Sequence, residues 1–390
     1  MTSPGRRRFV STAVRAGVAA AIFPTPAFAE FAASLARGVP QGTRLGVVPF
    51  AAESAAAVGE IVGISHEGRL ALDLSSLTPE TLVTPNDAFF IRTRYPDGLH
   101  HAAGTPWPIR IGGLVREPQT LLADELDRQA TPQGVTLLEC SGNGRTRAFG
   151  LLSAAEWAGV PLADVLARLP IQDTATRVLI SGVDRHSNVA PRSAGASWVF
   201  TFDQLAATGA FFATRMNGQP LPPDHGAPVR LIVPGWYGCT MAKWVDEIRF
   251  VTEEEPATAQ MQEFAARTHQ DGVPAMARDY RPAAMDQAAM PVRVEKWRVA
   301  DGVEYRVLGI MWGGDRPTRA LHIRFNDAAS SVPVQSYRQT TNRTWTLWSH
   351  TWKPASPGTY RITMRVDDPA IRTRRLDQGF YARTVELTDV

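Results

Sequence analysis

Leu137-Leu138-Glu139-Cys140-Ser141-Gly142-Asn143-Gly144-Arg145 joins an apolar strand that ends on a cysteine to a glycine-rich turn that carries an arginine. A thiolate at the end of a strand is accessible to a ligand and is soft enough to bind a redox metal. Spacing alone favours a different interpretation, a buried structural cysteine, because free cysteines are among the most buried residues. The segments around this stretch must therefore decide between a metal ligand and a core thiol.

The surrounding region, residues 80–255, mixes short strands with helices. Apolar runs predict strands over residues 134–140, 177–183, 229–234 and 244–251. After Pro161, leucine and valine recur at helical spacing as far as Leu169, which predicts a helix. The predicted fold class of this domain is therefore α+β.

The flanking segments have different patterns. Residues 30–79 begin with an alanine-rich stretch that predicts a loose or helical lead-in, and residues 256–290 lack the sustained periodicity of a helix or strand, as a connector does. Over residues 291–390, apolar side chains recur at alternate positions, as in Leu321–Phe325. This is the period of a half-buried strand. The C-terminal region is therefore predicted to form an immunoglobulin-like β-sandwich.

The first 29 residues have the features of an export signal. Arg6-Arg7-Arg8 precede a mildly apolar stretch that ends at Ala27-Phe28-Ala29, where small residues at alternate positions fit a signal-peptidase site. Residues 1–29 are therefore predicted to be a twin-arginine (Tat) signal peptide, and the protein is expected in the periplasm. The apolar stretch is too short to span a bilayer of about 30 Å, so we expect no membrane span in the mature form.

Charge and cysteine content exclude several classes of protein. The formal net charge of +3 is accounted for by the arginines of the signal segment, so we expect no nucleic-acid partner. The two cysteines, Cys140 and Cys239, are too few for a disulfide-dense scaffold, a four-cysteine zinc site or an iron–sulfur cluster. Cys239 is expected to be a small buried thiol that fills space.

Four further motifs accompany the cysteine stretch in a fixed order. They are Thr84-Pro85-Asn86-Asp87-Ala88-Phe89-Phe90-Ile91-Arg92; Ser153-Ala154-Ala155-Glu156-Trp157-Ala158-Gly159-Val160; Met216-Asn217-Gly218 with His225-Gly226-Ala227-Pro228-Val229-Arg230; and Pro234-Gly235-Trp236-Tyr237-Gly238 leading to Lys243-Trp244. Together with the cysteine stretch they resemble the sulfite oxidase family of molybdopterin enzymes. The resemblance extends to Gly309-Ile310-Met311-Trp312-Gly313-Gly314, which is similar to the opening hairpin of that family's dimerisation domain.

This resemblance implies a sulfite-oxidase-type molybdopterin-binding domain with a molybdenum-molybdopterin (Mo-MPT) cofactor. Cys140 then matches the family's protein ligand to molybdenum, and Arg92 and Arg145 match positions where the family binds its oxyanion substrate. Cations and an imidazole suit the anionic phosphate of the pterin. The residues implied to hold the pterin and its phosphate are Phe90, Arg92, Arg94, His225, Arg230 and Lys243.

The sequence departs from the family where the substrate faces the metal. The family places a tyrosine there, whereas the best alignment puts His269 at that position, as a catalytic candidate with a connector histidine as the alternative. Tyr280, eleven residues further on, reaches the site only if an insertion intervenes. Arg94 stands where the family more often has a histidine. The family also contributes a substrate arginine near the C-terminus, and the alignment does not select among Arg372, Arg374 and Arg375.

The resemblance implies oxidation of sulfite to sulfate, with electrons passed to an external acceptor such as a c-type cytochrome, because the chain has no C-x-x-C-H haem motif. It also implies a homodimer. One alternative is a reductase of sulfoxides or N-oxides on the same cofactor. An alternative from another class is a cofactor-free exported binding protein that uses the sandwich for recognition.

Overall fold

The computed structural model describes residues 39–53, 58–97, 99, 105–185, 195–326, 330–335 and 341–390. Most of the regular structure in these residues is β-sheet. In chain order the strands are β1 (Gly42–Val48), β2 (Ile61–Val62), β3 (Arg69–Leu70), β4 (Pro108–Gly113), β5 (Gln119–Leu122), β6 (Thr131–Glu139), β7 (Leu152–Pro161), β8 (Arg177–Gly182), β9 (Ser197–Thr201), β10 (Phe211–Met216), β11 (Gln219–Pro220), β12 (Arg230–Ile232), β13 (Val245–Val251), β14 (Ala288–Val299), β15 (Gly302–Trp312), β16 (Leu321–Phe325), β17 (Val332–Pro333), β18 (Thr346–Trp352), β19 (Gly358–Val366) and β20 (Arg383–Leu387).

The helices are short and lie between strands. They are α1 (Ala123–Arg128), α2 (Leu162–Leu166), α3 (Phe202–Thr208), α4 (Ala259–Glu263) and α5 (Arg374–Asp377), together with single 3-10 turns such as Arg145–Arg147, Pro223–His225 and Ala266–Thr268. Helix α3 begins with a capping box, in which Thr201 and Gln204 each accept the other's backbone N–H, and it ends at the left-handed Gly209. Short helices among sheets agree with the predicted α+β class.

Two five-stranded sheets form the first domain. One has the order β11-β10-β7-β6, with β12 also paired to β10, and the other has the order β5-β4-β13-β8-β9. The four predicted strands correspond to β6, β8, β12 and β13, and the predicted helix corresponds to α2, which is shorter than expected. The apolar runs at these positions are buried in the core, and this burial explains why they form strands.

Strands β6 and β7 position the cysteine. They pair antiparallel as far as Glu139 and Leu152, and the Cys140 N–H then donates to the Leu151 carbonyl at 3.0 Å. Leu137 and Leu138 are both buried, which anchors the end of β6 in the core. Cys140 is therefore held at the end of a rigid strand and not in a free loop.

Two four-stranded antiparallel sheets form the C-terminal domain, with the orders β1-β14-β15-β18 and β17-β16-β19-β20. Strand β1 pairs with β14 from Gly42 to Val48, so this part of the lead-in is a strand, and the prediction of a loose or helical segment is wrong here. Two packed antiparallel sheets agree with a sandwich, while the immunoglobulin-like topology stays a prediction.

The segment predicted as a connector, residues 256–290, is largely irregular, and its role as a domain boundary stays a prediction. It contains α4, and it buries Met261, Phe264 and Ala265. Its lack of periodicity comes from short turns wrapped around the core. Within the described residues, no helix is both long and apolar enough to cross a membrane. The export signal predicted for residues 1–29 lies outside the described residues.

Candidate active site

Cys140 is buried, with 4% of its surface exposed. The Gly142 N–H donates to its Sγ at 3.4 Å, and the Asn143 N–H donates to its carbonyl at 2.8 Å, which closes the turn after β6. Burial raises the pKa of the Cys140 thiol, and the positive charges of Arg92 and Arg267 oppose this shift. A bound metal cation would also lower the pKa of the thiol, as these arginines do.

A cavity of about 290 Å³ opens beside Cys140. We call it the cofactor cavity. Its walls come from the motif around Phe90, the end of β6, the turn at His225 and the segment that leads into β13. The predicted site residues that line it are Phe90, Arg92, Cys140, His225, Arg230 and Lys243.

Two cations of the cofactor cavity, the buried Arg230 and the half-buried Lys243, are held by backbone carbonyls. Arg230 Nη1 donates to the His225 carbonyl at 2.9 Å, and burial lowers the pKa of Arg230 to about 9. Lys243 Nζ donates to the carbonyls of Thr93 and Asp224, and burial lowers the pKa of its ammonium group. These contacts orient both cations without neutralising them.

His225 completes this group. Its Nε2 lies 2.8 Å from the Asn86 carbonyl oxygen, so this nitrogen donates and Nδ1 is the acceptor in the neutral ring. Burial lowers the pKa of His225 to about 4. An anion in the cavity would reverse this shift, because it stabilises the protonated imidazole.

The residues present fit a molybdopterin. Arg230 Nε is buried and has no hydrogen-bond partner within the described residues, and no carboxylate appears among the causes of the lowered Arg230 pKa. A buried guanidinium is costly unless an anion compensates it. The pterin's phosphate would supply that anion to Arg230, Lys243 and His225, and Cys140 would supply the thiolate to the metal.

A second pocket of about 270 Å³, which we call the arginine pocket, lies against Gly142 and Gly144 in the turn that follows Cys140. It shares Arg69 and Arg92 with the cofactor cavity. Sequence analysis missed three of its residues, Arg69, Arg147 and Arg267. The full lining is Arg69, Arg92, Gly142, Gly144, Thr146, Arg147, Leu151 and Arg267.

Two arginines predicted at the site lie elsewhere. Arg145 Nη2 donates to the carbonyl of Ala382 in the C-terminal domain at 2.7 Å, and this residue lines neither pocket. The turn that carries Arg145 continues into left-handed Ala148 and Phe149, and it places Arg147 in the arginine pocket.

Arg94 also lies outside the cofactor cavity. Its Nε donates to Asp224 Oδ2 at 3.2 Å, while Asp224 Oδ1 accepts the Tyr95 N–H at 2.7 Å. Asp224 lines the cofactor cavity and accepts these donors at its edge. Arg94 therefore orients a wall of the cavity and does not reach into it.

His269 and Tyr280 are the two candidates for the position of the family's tyrosine, and neither of them lines either pocket. His269 follows the turn Ala266–Thr268 in a left-handed conformation, and its Nε2 lies 3.9 Å from Asp286 Oδ2. Burial lowers the pKa of His269. Tyr280 is buried edge-on against Trp198. Arg267, two residues before His269, is the member of that stretch that lines the arginine pocket.

The basic run near the C-terminus has structural partners. Arg374 forms two hydrogen bonds with Asp286, at 2.8 and 2.9 Å. Arg375 Nη2 donates to the carbonyls of Ser141 and Arg267, at 2.9 and 2.8 Å. Arg372 Nε lies 4.0 Å from Asp286 Oδ1. Arg375 thus ties residues 140–147, which we call the cysteine loop, to the segment that carries Arg267.

Glu139, the residue before Cys140, fastens the cysteine loop to the C-terminal domain. Its buried carboxylate accepts from Trp312 Nε1 at 2.9 Å and from the Tyr381 hydroxyl at 3.2 Å. Burial raises the pKa of Glu139, and the charge of Arg375 opposes that shift. The Gly309–Gly314 motif therefore contributes, through Trp312, to the support of the cysteine.

Part of the chain is similar in sequence to known molybdopterin proteins. The family model described as "Oxidoreductase molybdopterin binding domain" matches residues 98–259. The chain is 32% identical over 209 residues to mitochondrial sulfite oxidase of Homo sapiens, and this match covers 48% of the chain and 36% of that protein. It is 31% identical over 198 residues to the NADH nitrate reductase of Spinacia oleracea, with 46% and 21% covered. The chain thus spans about a third of the mitochondrial sulfite oxidases it matches.

A solved structure shares the fold across nearly the whole chain. The sulfane dehydrogenase SoxCD from Paracoccus pantotrophus superposes with a TM-score of 0.61 at 17% identity, and the match covers 96% of this chain and 95% of that one. Cys140, the buried cations of the cofactor cavity and the matched domain all correspond to one kind of cofactor, molybdopterin. By these matches the chain is a molybdopterin oxidoreductase that is similar to the sulfite oxidase family.

Proposed function

We propose that the protein oxidises sulfite to sulfate and passes the electrons to an external acceptor such as a c-type cytochrome. The observation that carries this proposal is that Cys140 lines the cofactor cavity, whose Arg230 suits a pterin phosphate, while Gly142 and Gly144 line the adjoining arginine pocket, which suits a small oxyanion. Membership of an oxidoreductase family contradicts the alternative of a cofactor-free binding protein.

The protein's contribution is to bind and orient. Cys140 holds the metal, and Arg230, Lys243 and His225 hold the phosphate of the pterin. Arg92 lines both pockets, so it contacts the oxyanion from the side of the cofactor. The bound cofactor supplies the oxygen transfer and the redox chemistry. The arginines raise the local concentration of an anion and fix its orientation.

The test is steady-state oxidation of sulfite by purified protein from a host that makes the cofactor, with ferricyanide or cytochrome c as acceptor. We expect close to one molybdenum per chain and turnover of sulfite. Molybdenum-loaded protein that does not oxidise sulfite would contradict the proposal.

One observation favours a second candidate, a reductase of sulfoxides or N-oxides. No tyrosine lines the two pockets within the described residues, whereas the resemblance places one beside the metal in sulfite-oxidising relatives. Reduction of dimethyl sulfoxide or trimethylamine N-oxide by the loaded protein with reduced viologen, without oxidation of sulfite, would support this candidate instead.

We also propose export to the periplasm by the twin-arginine route and assembly as a homodimer. The arginines at positions 6–8 support export, and the two-sheet C-terminal domain supports dimerisation by resemblance. Cell fractionation after replacement of Arg6, Arg7 and Arg8 by lysine tests export. A monomer in sedimentation at micromolar concentration would contradict the dimer.

A further inference from the structure

Glu139 lies on the side of strand β6 that faces away from the cofactor cavity. Leu138 and Cys140 line that cavity, whereas Glu139 between them does not. Successive residues of an extended chain point to opposite sides, which explains this alternation. The Glu139 side chain is 1% exposed. A polar group buried so completely needs hydrogen-bond partners, and these partners fix where the end of β6 lies.

Two of the partners of Glu139 belong to the C-terminal domain. Trp312, the last residue of β15, donates from Nε1 to Glu139 Oε2 at 2.9 Å, and the Tyr381 hydroxyl donates to Oε1 at 3.2 Å. The two rings are buried and pack edge to face, with their centres 5.1 Å apart. The packing of the C-terminal core therefore fixes both donors, and the donors restrict the carboxylate to one position.

Asn143 connects the same carboxylate to the cysteine loop. Its Nδ2 donates to Glu139 Oε1 at 3.4 Å, and its Oδ1 accepts the Leu151 N–H at 3.1 Å. Its backbone N–H donates to the Cys140 carbonyl, and the Cys140 N–H donates to the Leu151 carbonyl. A displacement of the Glu139 carboxylate therefore reaches Cys140 by two routes, along the chain and through Asn143.

We propose that Glu139 is a positioning residue for Cys140, and that Trp312 and Tyr381 act through it to fix the thiolate at the metal. The proposal rests on the proposed ligation of the metal by Cys140, but it does not depend on which substrate the protein converts. Hydrogen bonds around a metal ligand set its orientation, and their loss changes metal affinity or activity roughly ten- to hundredfold. The C-terminal domain thus supports the metal site, in addition to its place in the proposed homodimer.

The test is the visible absorption of the oxidised, molybdenum-loaded full chain, together with kcat and KM for sulfite. Cys140→Ser identifies the part of the absorption that comes from the bond between the cysteine sulfur and the metal. Trp312→Phe keeps a buried ring but removes the Nε1–H donor. We expect it to shift that part of the absorption and to lower kcat per bound molybdenum roughly ten- to hundredfold, with little change in KM. Glu139→Gln keeps an acceptor oxygen and is expected to have smaller effects than Glu139→Ala.

Trp348→Phe is the matched control. Trp348 is also buried in the C-terminal domain, and its Nε1 donates to the Ile310 carbonyl at 3.0 Å within its own sheet. Its replacement is expected to lower the Tm about as much as Trp312→Phe does, and to keep the wild-type absorption and kcat. Tyr381→Phe, which removes the longer hydrogen bond to Glu139, serves as the second variant and is expected to shift the absorption in the same direction.

Wild-type absorption in both Trp312→Phe and Tyr381→Phe overturns the proposal. An equal shift in Trp348→Phe also overturns it, because the cause would then be a general loosening of the domain. Wild-type absorption in Cys140→Ser rejects the ligation on which the inference rests. The expected shift in Trp312→Phe, in a protein that does not oxidise sulfite, supports this inference and rejects the proposed reaction. Oxidation of sulfite with unchanged absorption in Trp312→Phe and Tyr381→Phe does the reverse.

Discussion

The cofactor cavity and the arginine pocket share Arg69 and Arg92, and they hold their other cations in different ways. In the cavity, Arg230 is buried and Lys243 is half-buried, and both donate to backbone carbonyls. In the arginine pocket, Arg147 is half-buried and Arg267 is exposed, and neither has a carboxylate partner among the described residues. Buried, oriented cations suit a ligand that stays bound, whereas open, unpaired cations suit a ligand that binds and leaves in each turnover.

The largest expected effect comes from Cys140, which lines the cofactor cavity. Cys140→Ser replaces a soft thiolate by a hydroxyl, and we expect turnover to fall more than about a thousandfold, the scale of losing an essential catalytic group. Steady-state kinetics per bound molybdenum measures this loss. Cys239→Ser is the comparison, because Cys239 is also buried and lines the cavity. An equal loss in both variants would show that thiol burial, and not ligation, is responsible.

The cofactor cavity is tested next through retention of the cofactor. Arg230→Met removes a buried cation of similar length, and we expect affinity for the cofactor to fall roughly ten- to hundredfold. Molybdenum and pterin content of the purified protein report the loss. Arg94→Met, at the edge of the cavity, should retain more of both. Full molybdenum and pterin content in Arg230→Met would break the assignment of the phosphate to this cavity.

A pH experiment compares the cofactor cavity with the C-terminal domain. Burial lowers the pKa of His225 and the pKa of His350 to about 4, below the ordinary value of 6.5. Between pH 4 and pH 6.5 the unfolded chain therefore binds more protons than the folded protein. The stability that the two neutral histidines contribute is present above pH 6.5 and is lost as the pH falls towards 4. Each histidine accounts for at most about 3 kcal/mol of that loss.

We expect the bound cofactor to change the pH dependence of stability that comes from His225 but not that which comes from His350. The phosphate of the cofactor stabilises protonated His225. In loaded protein, His225 should therefore contribute less to the loss of folding stability at acid pH, while the contribution of His350 persists. Unfolding free energies of the wild type, His225→Gln and His350→Gln, with and without cofactor between pH 6.5 and 4.5, measure this. If the cofactor leaves the pH dependence of His225→Gln and of the wild type equally unchanged, the phosphate does not lie at His225.

Sequence predicted one region far better than the other, for a physical reason. Phe90, His225, Arg230 and Lys243 belong to short motifs at the ends of buried strands or in adjacent turns, where the strand fixes the direction of the side chain. The arginine pocket instead combines Arg69, Arg147 and Arg267 from three separate segments. Their approach depends on tertiary packing and on the left-handed residues after the cysteine loop, which no local pattern specifies.

The same limit explains the missed strand β1. Gly42–Val48 is largely exposed and lies at the edge of its sheet, so its sequence lacks the alternation that burial imposes. Its pairing with β14 joins residues about 250 positions apart, which a local pattern does not predict. His269 shows the limit of alignment in another way: it lines neither pocket, whereas Arg267, in the turn Ala266–Thr268 before it, lines the arginine pocket.

The smallest expected effect separates two arginines of one turn, Arg145 and Arg147. Arg145 donates to the Ala382 carbonyl, so Arg145→Gln should cost about 1 kcal/mol of stability, or roughly 2 °C in Tm, through the loss of one hydrogen bond. Its Kd for sulfate should stay at the wild-type value, because the side chain lines neither pocket. Arg147→Gln should instead keep the wild-type Tm and raise the Kd for sulfate in isothermal titration of the molybdenum-loaded protein. If Arg145→Gln instead weakens sulfate binding as much as Arg147→Gln does, the oxyanion lies where the family resemblance placed it, and the turn rearranges when the cofactor binds.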